Sequence, residues 1–213
     1  MEYDLSPGTY TDLVWDGPFA GFNMVRILSI GDGSCLLHSI ANAYFTPYRL
    51  EKLNGLSVSR RQIVRQLRDE LAVHLAEPVD PLQPDGPRVY DNLANGEQVH
   101  LGKELPQEYG LEALLAKLRS DDAMGDEFIE LISDRLDKDL YVLDAATRDV
   151  YMLGDGTFIK GRDSIVLLFL PGHYELIGLR VGGSIQTHFS PHHALIQAIR
   201  SRADKLRELG SRR

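Results

Sequence analysis

The sequence predicts an α+β fold, and three observations carry that prediction. Up to about residue 136, apolar residues recur mainly at helical spacing, as in Leu36, Leu37, Ile40, Ala41 and Tyr44. From Leu140 onward they gather instead into short runs separated by Asp, Gly and Arg turns. A last amphipathic stretch follows Ser190-Pro191. Helices first, then a mostly antiparallel set of strands, then a helix is the order of an α+β domain.

Taken in order, residues 1–24 read as an irregular or partly extended lead-in, with turns at Pro7-Gly8 and Asp16-Gly17-Pro18. Met24 to Ile30 is a short apolar run that stops at Gly31-Asp32-Gly33-Ser34, a tight-turn composition. A helix opens at or near Cys35. A second helix starts around Ser59, a plausible N-cap, buries Ile63, Val64, Leu67, Leu71 and Leu75, and ends before Pro78. Residues 78–109 hold five prolines and break the pattern, as a functional or mobile segment or a surface insertion would. Leu111 to Leu118 and Phe128 to Leu136 suggest two more helices. Leu140–Leu143, Val150–Leu153, Ile165–Leu170 and His173–Val181 read as strands. Ser190 as N-cap and Pro191 at the first helical position open the final helix, whose apolar face is Leu195, Ile199, Leu206 and Leu209. Its other face is basic: Arg200, Arg202, Lys205 and Arg207. We expect one domain over 1–213, with a core at about 24–180 and a helix at 190–209.

Composition narrows the function classes. The 213 residues are 43% hydrophobic and 25% charged, which suits a globular chain with a real core. A net charge of -8 argues against a nucleic-acid partner. Cys35 is the only cysteine, so an intrachain disulfide is excluded and a thiolate zinc site nearly so. No apolar run is long enough to span a bilayer, and Met1 to Tyr10 lacks the apolar stretch of a signal peptide. The expectation is a protein of a reducing, cytoplasmic compartment, without membrane, metal or cofactor.

The lone cysteine is also the chemical centre. A helix N-terminus presents unpaired N–H groups and a partial positive charge, which favour thiolate over thiol and can hold an oxyanion. A thiolate nucleophile needs a base, and the chain has seven histidines. His38 lies one turn along the same helix and points along it, toward packing or solvent. His74, His100, His192 and His193 lie late in a helix, in the irregular segment, or at the start of the final helix. His173 opens a strand after Pro171-Gly172, and alternation puts Glu175 on the same face. A carboxylate there can accept from Nδ1–H and leave Nε2 for the thiol, the logic of a triad.

Together these segments resemble the ovarian-tumour (OTU) deubiquitinases. The resemblance rests on Gly31-Asp32-Gly33-Ser34-Cys35-Leu36-Leu37-His38-Ser39-Ile40 and on Gly172-His173-Tyr174-Glu175-Leu176-Ile177, and it spans roughly residues 24–180. It implies a papain-like fold, a central mostly antiparallel sheet flanked by helices, and hydrolysis of isopeptide bonds at the C-terminal glycine of ubiquitin. Carried over by position, Cys35 is the nucleophile and His173 the general base. Asp32 is the supporting acid, on a loop that helps form the oxyanion hole. The place two residues after the histidine, usually Asp or Asn, holds Glu175, so either acid is a candidate to orient His173. Met124-Gly125-Asp126 departs from the aromatic and paired glycines common in the family. The implied partners are ubiquitin, polyubiquitin chains or ubiquitin-like modifiers. The rival expectations are a papain-like protease of a ubiquitin-like modifier and a silent ubiquitin-binding module. Such a protein could also be delivered into a host cell if it came from a virus or bacterium.

Overall fold

In a computed structural model, residues 10–93, 96, 98, 102, 106–154 and 156–210 are described. Strands β1 (Tyr10–Leu13) and β2 (Met24–Ile27) pair antiparallel, joined through a 3-10 turn at Gly17–Phe19. The turn at residues 31–34 then leads into α1 (Cys35–Tyr44). Next come α2 (Thr46–Leu50) and a small hairpin, β3 (Lys52–Leu53) and β4 (Leu56–Ser57). Helix α3 (Arg60–Ala76) starts where the sequence expects. Ser59 accepts from Gln62 N–H, and Gln62 reaches back to the Ser59 N–H, which makes a capping box. Helices α4 (Leu111–Arg119) and α5 (Ile129–Leu136) follow. The chain then lays down β5 (Asp139–Asp144), β6 (Asp149–Val150), β7 (Ser164–Leu170), β8 (His173–Val181) and β9 (Ser184–Gln186), and closes with α6 (Ala194–Gly210).

Among the described residues, the main sheet has seven strands, in the order β1-β2-β8-β7-β5-β6 with β9 added to β8. All pairs are antiparallel except β5 with β7, so the sheet is mostly antiparallel, as the sequence indicates. Alternation along β8 splits its residues between two cores. Tyr174 and Leu176 face a core shared with α1, α3, α4 and α5. Ile177 and Leu179 face Leu195, Ile196 and Ile199 of α6. The sheet is therefore covered by helices on both faces.

Three expectations need correction. The run Val150–Leu153 belongs to a strand only at its first residue, in Asp149–Val150; Tyr151 N–H still donates to the Val142 carbonyl at 2.9 Å, and its ring packs on Phe169 with centroids 5.2 Å apart. The last helix begins at Ala194, not at Ser190-Pro191. Those residues form a turn closed by His193 N–H on the Ser190 carbonyl, and His193 Nδ1 accepts from the Leu195 N–H. The described part of residues 78–109 is more than a surface insertion. It doubles back through Val79 N–H to Pro87 O and Val89 N–H to Glu77 O, and it sends Tyr90 and Leu93 into the core. His100 lies outside the described residues. Among the described residues, no helix is long and apolar enough to cross a membrane, and no cluster of three or more His, Cys, Asp or Glu side chains could hold a metal ion.

Candidate active site

Cys35 is the first residue of α1, and Ser34 before it makes no side-chain cap to the helix. The leading N–H groups of α1 are thus free of a capping oxygen from Ser34. The preceding turn is tightly determined. Gly33 has φ +81°, and a Cβ there would fall 2.2 Å from the Asp121 carbonyl oxygen. Only glycine fits that conformation and that approach. Ser34 N–H donates to Asp32 Oδ1 at 3.2 Å, and the Gly33 carbonyl accepts from Met124 N–H at 2.9 Å.

A second clamp comes from α3. Arg68, 1% exposed, donates to Ser34 Oγ at 2.8 Å and to the carbonyls of Leu118 at 3.1 Å and Asp122 at 3.0 Å. It also bonds the Lys117 carbonyl. Those acceptors offset the cost of burying the guanidinium. Sequence reasoning missed Arg68, yet a signal was present: it lies four residues after Val64 and three before Leu71, on the buried stripe of α3.

The sheet brings the distant histidine to this turn. Strand β2 pairs with β8 only as far as Leu176, so the β8 edge at Tyr174 is open on that side. Helix α1 fills it. Tyr174 N–H donates to Cys35 Sγ at 3.4 Å, and Ser39 Oγ, one turn further along α1, donates to the Tyr174 carbonyl at 3.1 Å. The sulfur therefore lies against the start of β8, 139 positions away in the chain from Tyr174. Cys35 is 5% exposed. The ring of His173 reaches the Cys turn: its Cε1 lies 4.0 Å from where a Cβ on Gly31 would sit.

The two candidate acids occupy different places. Glu175 shares the His173 face of β8, is 4% exposed, and puts Oε1 3.9 Å from His173 Nε2. That distance is too long for a hydrogen bond. Its Oε2 faces Arg26 Nε of β2 at 3.3 Å. Neither Glu175 Oε2 nor Arg26 Nε completes a hydrogen bond. The expected use of the ring nitrogens is reversed: Nε2 turns to the carboxylate, which leaves Nδ1 as the nitrogen turned away from it.

Asp32 is bonded to other groups. It contacts His38 Nε2 at 3.1 and 3.2 Å and accepts from Arg61 Nε at 3.2 Å. Burial works to raise its pKa, but the His38, Ser34 and Arg61 contacts outweigh that and hold it below the ordinary value. His38, expected to face packing or solvent, is buried and bonded at both nitrogens, the second to Tyr48 Oη at 2.8 Å. Of the other histidines, His74 pairs with Glu77 on the surface, and His192 is exposed.

No family model and no curated protein matches the chain. Solved structures do. An ovarian-tumour (OTU) domain in complex with ubiquitin aligns with a TM-score of 0.51 at 18% identity, over 97% of this chain and 98% of that one. The Hazara virus OTU bound to ubiquitin aligns at 0.43 and 14% identity, over 85% of this chain and 96% of that one. An OTU deubiquitinase from Wolbachia pipientis wMel aligns at 0.40 and 15% identity, over 76% of this chain and 91% of that one. The first of these carries the assignment, because it spans nearly all of both chains: this protein has the fold of an ovarian-tumour domain.

Proposed function

We propose that the chain is a thiol-dependent ubiquitin hydrolase with Cys35 as nucleophile and His173 as general base. The observation that carries this reading is the contact of Cys35 Sγ with the backbone of β8 at Tyr174, next to His173, within an OTU fold. In the proposed reaction, His173 takes the proton of Cys35, and the thiolate attacks the carbonyl carbon of the ubiquitin C-terminal glycine. N–H groups at the head of α1 hold the oxyanion. The tetrahedral species collapses, the lysine amine leaves with the proton from His173, and a thioester remains. Water, deprotonated by His173, then adds to the thioester and releases the ubiquitin carboxylate and the thiol. Glu175 orients the imidazole through Nε2, after a closing shift of the 3.9 Å gap.

The test is incubation with ubiquitin bearing a C-terminal electrophile, alongside a panel of ubiquitin-like modifiers carrying the same group. The parent should gain the mass of one ubiquitin, and Cys35→Ala should gain none. Labelling by another modifier and not by ubiquitin overturns the choice of substrate. Tight ubiquitin binding without labelling in either protein overturns the enzymatic reading in favour of a binding module.

A further inference from the structure

The reaction above leaves His38 without a task, yet it is 1% exposed and bonded at both ring nitrogens. An ionised carboxylate can only accept, so the nitrogen facing Asp32, Nε2, carries the proton. Burial pushes the imidazole below its ordinary value, so the ring is neutral near neutral pH and Nδ1 is an acceptor. The Tyr48 hydroxyl is therefore the donor to Nδ1. The bonds run in one direction, from Tyr48 of α2 to His38 of α1 to Asp32 of the turn. Asp32 in turn accepts from the N–H of Ser34, the residue that precedes the nucleophile. Arg61 donates to the same carboxylate, and Arg60 stacks on the Tyr48 ring at 5.4 Å.

We infer that His38 is a positioning residue for acyl transfer at Cys35: with Tyr48 it locks Asp32, and Asp32 locks the turn that aims the N–H groups at the head of α1. This rests on Cys35 being the nucleophile, but not on ubiquitin being the substrate. Loss of the lock disturbs a reaction that passes through an oxyanion and spares one that does not.

Two reactions at the same sulfur separate these cases in the full chain. Acylation by p-nitrophenyl acetate forms a tetrahedral oxyanion, whereas alkylation by iodoacetamide is a direct displacement at carbon. With Cys35→Ala as background, His38→Asn should slow acylation by about tenfold or more and change alkylation by less than about threefold. His38→Gln places an amide nitrogen near the position of Nε2 and should recover most of the acylation rate. Tyr48→Phe, which removes one hydroxyl and keeps the ring, should lose acylation selectively and by a smaller factor. Acylation and alkylation falling together in Tyr48→Phe, or neither changing in any variant, overturns the inference. A parent that is not acylated at Cys35 overturns it as well. A parent that is acylated and shows the selective losses, but ignores ubiquitin substrates, refutes the ubiquitin reading and leaves this inference standing.

Discussion

Of the four candidate residues read from sequence, three gather at the start of β8, and the fourth, Asp32, is bonded elsewhere. Cys35 lies against the strand that His173 opens, although neither local pattern contains the other. Glu175 is on the His173 face because a strand alternates, which is a local rule. Its approach to Nε2, and its pairing with Arg26, depend on where β2 lies, and that is not local. Glu175→Gln tests the link. The isosteric amide removes the charge and should lower kcat/KM on a fluorogenic ubiquitin amide by about tenfold or more, with the melting temperature nearly kept. An unchanged rate would show that the imidazole is oriented by something else. Asp32 is bonded to the His38 ring and to Arg61 of α3. A histidine three residues into α1 points back over the turn, and Asp32 meets that ring.

The elements were legible to the extent that they repeat a local rule. Helix α3 shows its start in Ser59 and Gln62, its buried face in Ile63 to Leu75, and its end before Pro78. The β3–β4 hairpin has a single local signal, Asn54-Gly55. Asn54 at φ 51° and Gly55 at φ 82° form the two-residue turn that favours this pair. The segment is short and flanked by Lys52 and Ser57, so its hydrophobic alternation is too weak to register. The buried tie between α3 and the Cys turn is Arg68, which bonds Ser34 and three carbonyls of the 117–122 stretch, while Arg61 of the same helix bonds Asp32 at the exposed edge. Arg68→Met should therefore cost about 3 kcal/mol or more by urea unfolding, because buried acceptors lose a charged donor. Activity should fall further than that loss of stability explains, since the turn before Cys35 loosens. A variant as stable and active as the parent would show that the clamp is redundant.

At the scale of the whole molecule, two cores sit on opposite faces of one sheet, and three histidines are wholly or partly withdrawn from solvent: His38 is buried, and His188 and His193 are half-buried. His38, His188 and His193 all have pKa values below the ordinary 6.5, in each case mainly because burial disfavours the charged ring. The unfolded chain therefore binds protons that the folded chain refuses. Their contribution to stability is complete above that ordinary value and drains away as pH falls below it toward the folded values. Asp149, lowered first by hydrogen bonds from Arg202, and Asp32 act with the same sign at more acid pH. Their support is present above the ordinary 3.8 and is lost as pH falls through their folded values. Urea midpoints should thus drop between about pH 7.5 and about pH 5.5, and drop again on further acidification. A flat profile across the first interval would mean that the three rings take up protons without loss.

What the sequence by itself determined is whatever depends on neighbours within a turn or two: the helices and most strands, the glycine turn before Cys35, and the shared face of His173 and Glu175. These follow from periodicity and backbone sterics, which act over a few residues. The tertiary structure alone decided which side chains meet across the sheet. The early end of β2 leaves the β8 edge open for Cys35, Arg26 takes one oxygen of Glu175, and His38 with Tyr48 takes Asp32. The physical reason is that a buried polar group is costly unless it is paired, and which partner it reaches is set by position in space rather than in sequence.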